Sequence, residues 1–198
     1  MSESPRAVQY GGGRDALLEA TVRVVARAGL RKLTNRAVAD EAGVTHGLVS
    51  HHFGTRDALI AEALRYVVDR SLAESELGSG SITDIGRSLG EMTSIDADGQ
   101  AFQYELILES RRRPELRPLV ASLYKTYEEA TRRDLNSMGL VEVAGLEHAV
   151  FAMLDGLVFR ELADPDPARM RSALAALNEL LRTARAAKDR REGLGARR

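Results

Sequence analysis

Cysteine is absent from the 198 residues, which removes disulfides, thiolate metal sites and cysteine nucleophiles together and fits a reducing compartment. Long hydrophobic runs are missing as well. The most apolar stretch, residues 149–159, is short and carries Asp155, whereas a membrane-spanning helix needs about 20 mostly apolar residues. Residues 1–13 (MSESPRAVQYGGG) have neither the basic leader nor the apolar core of a signal peptide and read as a disordered arm, so a cytoplasmic location is expected. Neither sign of charge dominates: 28 Lys and Arg face 29 Asp and Glu, a net charge of −1 that argues against a surface given over wholly to nucleic acid. Alternating β-branched runs, a nucleophile motif, a phosphate-binding glycine loop and a metal-ligand constellation are also missing. No cofactor is expected, and an all-α enzyme using Glu105 or Glu109 with His148 is a remote alternative.

What the chain does contain is Ala, Leu, Arg and Glu with apolar residues recurring at three and four, the pattern of an all-α fold. A first helix is expected over about 14–28, burying Leu17, Leu18, Thr21, Val24 and Val25 and stopped by Gly29. Thr34 suits the N-cap of a second helix reaching Ala42, Gly43 makes a turn, and Thr45 suits the cap of a third helix ending near Phe53. Gly54 and Thr55 then break and restart the chain. A longer helix follows to about Leu77, the stretch GSGSI from Gly78 is the best linker, and helices are expected near 82–90, 100–112, 115–137, 143–162 and 167–190. The organisation expected is an arm (1–13), a three-helix helix-turn-helix domain (14–58), a C-terminal helical domain (59–190) and a flexible basic tail (191–198).

Residues 43–55, GVTHGLVSHHFGT, hold three of the four histidines. Val44, Val49 and Phe53 can anchor one side of a short polar helix there, leaving the other side for a ligand. Adjacent histidines point in different directions on a helix, and none of the four has another histidine four residues away, so the cluster is a poor metal site. In a helix-turn-helix the second helix enters the major groove while helix N-termini and basic side chains hold phosphates. Thr34, Arg36, Ser50, His52 and Arg56 are assigned to phosphates. Thr45 at the head of the helix, with His46, Gly47, Leu48 and His51, is assigned to the groove-facing side. Gly47 costs about 1 kcal/mol relative to alanine inside a helix, a cost that makes sense if backbone must approach a groove closely. Basic residues outnumber acidic ones only slightly through residue 57. Protonation of His46, His51 or His52 beside a phosphate would enlarge that excess.

These residues carry a resemblance. The end of the first helix at Ala28-Gly29 is followed by Leu33-Thr34-x-Arg36-x-Val38-Ala39-x-x-Ala42-Gly43-Val44-Thr45-x-Gly47-x-Val49 and then His52-Phe53-x-Thr55-Arg56-x-x-Leu59. From Arg14 to about Leu64 the chain thus resembles the N-terminal DNA-binding domain of the TetR family of transcriptional regulators. The resemblance implies a homodimer, a double-stranded palindromic operator and a variable C-terminal domain that binds a small-molecule effector and releases DNA. Two positions depart from the family pattern: Ser50 stands where a phosphate-contacting tyrosine is usual, and Arg56 where lysine is usual.

The C-terminal half offers two further patterns. Leu146, Val150, Met153 and Leu157, with Met170, Leu174, Leu177 and Leu181, are spaced alternately four and three, the stripes of helices packing at about 20° in a bundle. Two such helices make half a bundle, so the stripes are assigned to a homodimer interface, with an intrachain hairpin core as the alternative. By the resemblance, a pocket is expected among the central helices, with Phe102, Gln103, Leu106, Glu109, Leu123, Tyr127, Phe151 and Asp155 as lining candidates. Such walls would suit an amphipathic or cationic ligand. The arginines after Arg182 are expected to offset a helix C-terminal dipole.

Overall fold

The computed structural model describes residues 12–79, 86 and 88–195, and every regular element among them is helical. The first four helices are α1 (Gly12–Ala28), α2 (Asn35–Ala42), α3 (His46–Phe53) and α4 (Arg56–Ser75). The C-terminal part comprises α5 (Leu89–Ile95), α6 (Ala97–Glu109), α7 (Arg117–Ser137), α8 (Leu146–Ala163) and α9 (Pro167–Gly195). Short 3-10 turns, Leu30–Lys32 and Pro114–Leu116, lead into α2 and α7. The proposed arm, apart from its last two residues, most of the GSGSI linker and the last three residues of the tail lie outside the described residues.

Local chemistry explains most boundaries. Thr34 and Thr55 each accept a hydrogen bond from the backbone N–H three residues on, Ala37 and Ala58 respectively, at 3.1 Å; such a cap stabilises a helix by about 1 kcal/mol. Thr45 occupies the corresponding position before α3 but makes no side-chain cap bond. Gly43 ends α2 in the left-handed conformation, φ 69°, where a side chain would be strained. The helix expected over 100–112 instead runs Ala97–Glu109, because Asp96 accepts from Gly99 N–H and starts it earlier, while the approach to Pro114 ends it. The helix expected over 82–90 is displaced: α5 begins only at Leu89, and residues 82–85 and 87 lie outside the described residues.

One apolar core runs through the molecule. Leu17, Leu18 and Val25 of α1 pack with Leu30, Val38, Val49, Phe53, Leu59 and Ile60, each full burial removing apolar surface worth about 1.5–3 kcal/mol. Val24, expected inside, is only partly buried, while Val22 takes the inward place. Thr21 is buried and satisfies its hydroxyl on the Leu17 carbonyl. α4 crosses the expected boundary at 58–59 without a break: it packs against α1 and α3 on one side and α5, α6 and α7 on the other, with Ser71 and Ser75 facing a cavity in the bundle. Reading head and bundle are therefore built on a shared rod.

The bundle stripes correct an expectation. Val150, Met170, Leu174, Leu177 and Leu181 are buried within a single chain, and Leu146 and Leu157 are half-buried against the same core. They pack α8 and α9 onto the rest of the protomer, so they do not offer a surface to a second copy. Of the eight, only Met153 stays open, at 46% exposure.

Candidate nucleic-acid interface and ligand cavity

α3 is held by its apolar side. Val49 and Phe53 are buried and Leu48 is half-buried against the core, and the Arg14 guanidinium lies 5.4 Å over the Phe53 ring while pairing with Glu62. Thr45, His46, Gly47, Ser50, His51 and His52 are left exposed. Open space surrounds the position a Gly47 side chain would take, so backbone can approach a groove there. Leu48, assigned to the groove, spends part of its surface on packing instead. Ser50 accepts a 2.8 Å bond from Asn35 Nδ2, which ties α3 to α2. The His51 and His52 rings meet edge-on at 5.5 Å.

The phosphate candidates divide. Arg36 is 88% exposed with Asp40 3.7 Å away, a contact that an exposed pair gives up cheaply. The Thr34 hydroxyl accepts the cap bond and retains a proton to donate. Arg56, by contrast, is committed: its Nη2 donates to Leu30 O at 2.6 Å and its Nε to Leu33 O at 3.1 Å. It clamps the turn between α1 and α2 onto α4.

The ligand cavity lies inside the bundle. Its walls are Ser71 and Ser75 of α4, Met92 of α5, Gln100, Gln103, Tyr104 and Ile107 of α6, Leu123 and Tyr127 of α7, and Phe151, Leu154, Asp155 and Val158 of α8, with Leu77, Gly86 and Leu89. The room inside for a water-sized sphere is about 40 Å³, enough for a few waters, so an organic ligand must push the walls apart. Tyr104 OH donates to both the Asp155 carboxylate (2.7 Å) and its carbonyl (3.0 Å). Tyr127 OH donates to Gln103 Oε1 at 2.9 Å, and its ring stacks on Phe151. Burial pushes the Tyr127 hydroxyl up to about 12 and raises the Asp155 carboxyl above its ordinary value, against the lowering effect of the Tyr104 bond.

Of the expected lining residues, Gln103, Leu123, Tyr127, Phe151 and Asp155 meet at this cavity. Phe102 and Leu106 are fully buried core residues on another face of α6. Glu109 is also buried, and faces Arg31 at 3.8 Å and Arg112 at 3.0 Å. The sequence reading missed Gln100, Tyr104 and Ile107; with Gln103 they share one face of α6 by helical spacing, a signal the sequence did carry. His148, the acid-base candidate, pairs with Glu128 at 3.0 Å on the protein's outside, away from the cavity lining.

α6 faces both ways. Gln100, Gln103, Tyr104 and Ile107 line the cavity, while Asp98, Glu105 and Glu109 reach the reading head. Asp98 pairs with Arg27 of α1 at 3.4 Å, Glu105 Oε1 accepts Leu30 N–H at 2.9 Å, and Glu109 faces Arg31. The Leu30 turn is thus held by α6 through its N–H and by α4 through its carbonyl.

Comparison with known proteins matches both halves. Residues 17–63 match the family model described as bacterial regulatory proteins, tetR family, and residues 82–183 match the tetracyclin repressor-like C-terminal domain. The chain belongs to the TetR family. Its relatives are transcriptional regulators, not enzymes. The HTH-type transcriptional regulator BetI of Brucella anthropi is 27% identical over 189 residues, covering 85% of this chain and 91% of its own. A regulator from Rhodococcus sp. Rha1 superposes with a TM-score of 0.69 at 25% identity, over 86% of this chain and 96% of its own. The multidrug binding protein EbrR complexed with proflavin gives a TM-score of 0.54 at 31% identity, over 85% and 99%. In this TetR-family regulator α2 and α3 form the helix-turn-helix, and the helices from α5 onward form the C-terminal domain. Among the described residues no helix is long and apolar enough to cross a membrane, and no group of three or more His, Asp or Glu is placed to hold a metal ion.

Proposed function

We propose that this TetR-family regulator is a repressor that binds a palindromic operator as a homodimer in the cytoplasm and is released by a small-molecule effector. The observation that carries this reading is α6, which lines the cavity with one face and holds the Leu30 turn of the reading head with the other. A ligand that spreads the cavity walls has to displace that helix or its neighbours, and the displacement passes to α1 and α2 through Glu105 and Glu109. That EbrR, a similar protein, is described as multidrug binding supports a ligand-binding role for the bundle.

On the DNA side, Thr45, His46, Gly47 and His51 read base edges, while Thr34, Arg36, Ser50 and His52 approach phosphates. Arg56 supports them by fixing the turn before α2, and Leu48 contributes whatever part of its surface the core leaves free. The test is selection of genomic fragments by the purified protein, followed by gel shifts with the fragment recovered. Joint replacement of Thr45, His46 and His51 by alanine should weaken operator binding by about tenfold or more, each lost base contact being worth about 1–3 kcal/mol. The thermal midpoint should barely change, since all three side chains are exposed. Unchanged affinity and sequence preference would sink the assignment of α3.

A further inference from the structure

Among the described residues the cavity lining has a single charged side chain, the Asp155 carboxylate, and no basic one. Other acids buried in this protein have a cation or backbone donors: Asp96 pairs with Arg70, Glu109 with Arg112, and Glu161 accepts from Asp166 N–H. Among the described residues Asp155 has only the phenol of Tyr104 on its carboxylate. Aromatic rings surround it. Tyr104, Tyr127 and Phe151 line the cavity, Phe159 meets Tyr104 edge-on at 4.9 Å, and Tyr124 meets Phe151 at 6.0 Å.

Ring faces are negative, and a half-buried carboxylate without a cation is costly, so both features favour positive charge and penalise an anion. The polar groups beside them are already engaged. Gln100 Nε2 donates to Ser71, and Gln103 Oε1 receives the Tyr127 hydroxyl. Few acceptors remain for N–H groups, which favours a quaternary or delocalised charge over a primary ammonium.

We propose that the cavity binds a lipophilic organic monocation, with its charge against Asp155 and its apolar groups against Tyr104, Tyr127 and Phe151. This rests on the reading that the cavity is the effector site. The cation takes over the carboxylate that Tyr104 holds in the ligand-free protein. Tyr104 is the α6 neighbour of Glu105, so the exchange of partners at Asp155 is felt one residue from the bond to Leu30.

The test is calorimetric titration of the DNA-free protein with benzyltrimethylammonium, its neutral carbon isostere neopentylbenzene, and benzylsulfonate. The cation should bind about tenfold or more tighter than the isostere, and the anion not at all. Asp155→Asn, which keeps an acceptor for Tyr104, should erase the preference for the cation. Equal affinity for cation and isostere, preference for the anion, or no binding by any of the three overturns the proposal. So does an undiminished cation preference in Asp155→Asn. Should that variant fail to fold, the comparison of the three compounds on the unmodified protein decides alone. A gel shift with the selected operator separates the two readings. Cation binding that leaves the operator complex intact supports the cation site and overturns the effector reading.

Discussion

Asp155 concentrates the competing demands on this molecule. Burial raises its carboxyl above the ordinary value near 3.8, and the Tyr104 hydrogen bond only partly offsets that. A group whose folded-state value lies above its unfolded one contributes stability that is fully present below the unfolded value and is lost as pH rises through the folded one. Ionising Asp155 therefore costs the folded protein stability. Asp155→Asn cannot titrate and retains an acceptor for Tyr104. Its melting temperature relative to the unmodified protein is expected to rise as pH is raised from near 3.8 toward neutrality, measured by thermal melts of both proteins in matched buffers. A constant difference across that range would mean that Asp155 does not titrate as its burial implies. Arg56 teaches a different lesson at the same scale. The sequence places a cation beside a helix start, which suits a phosphate, but the structure spends that cation on the carbonyls of Leu30 and Leu33. Tertiary hydrogen bonds across 23 and 26 residues leave no local signature.

Among the elements, α6, like α4, serves both the cavity and the reading head. Its cavity face and its acidic face are set by one helical register, so a rotation that opens the cavity must also move Glu105 away from Leu30 N–H. Glu105→Ala removes the acceptor and should weaken operator binding and raise amide exchange at Leu30. Glu105→Gln keeps an acceptor and should restore most of both. Loss of one such bond is worth about 0.5–1.5 kcal/mol, or roughly threefold to tenfold in affinity if it is spent wholly on the reading geometry. Operator affinity equal in all three proteins would show that the bond plays no part in aiming the head. Local signals made the helix-turn-helix readable: Thr34 and Thr55 cap, Gly29 and Gly43 stop, and Val38, Val49 and Phe53 turn inward as periodicity requires. The orientation of α6 was less readable: spacing puts Phe102, Leu106 and Glu109 on one face and Gln100, Gln103, Tyr104 and Ile107 on another, but both faces carry apolar residues and only tertiary packing decides which meets the cavity.

At the scale of the whole molecule, α8 and α9 carry large apolar side chains in the open. Met153 and Phe159 on α8 and Leu180 on α9 are 46%, 53% and 62% exposed, and Ala149, Ala152 and Gly156, with Ala176 and Ala184, continue the two exposed faces at helical spacing. Small residues between large ones let two helices approach closely, and a stable interface needs about 1,000 Å² or more of buried surface. Four-three spacing says that a helix face is apolar without saying which partner covers it, so the heptad-like stripes could not separate intrachain packing from pairing with a second copy. Intrachain packing claims Val150, Leu174, Leu177 and Leu181, so the homodimer proposed above would pair α8 and α9 through the exposed faces behind them. Gly156 makes a clean test. A side chain there would meet no atom of its own protomer within 4 Å, and replacing glycine inside a helix gains up to about 1 kcal/mol of helix propensity. Gly156→Arg should therefore fold, yet place a charge in the middle of the shared face. Light scattering should give the mass of two chains for the unmodified protein and of one for the variant. Operator affinity should fall much further than the loss of any single base contact explains, because two half-sites are no longer engaged by one tethered pair of heads. A variant that stays dimeric, or a parent that is monomeric at micromolar concentration, would remove this face from the assembly and leave each reading head to bind alone.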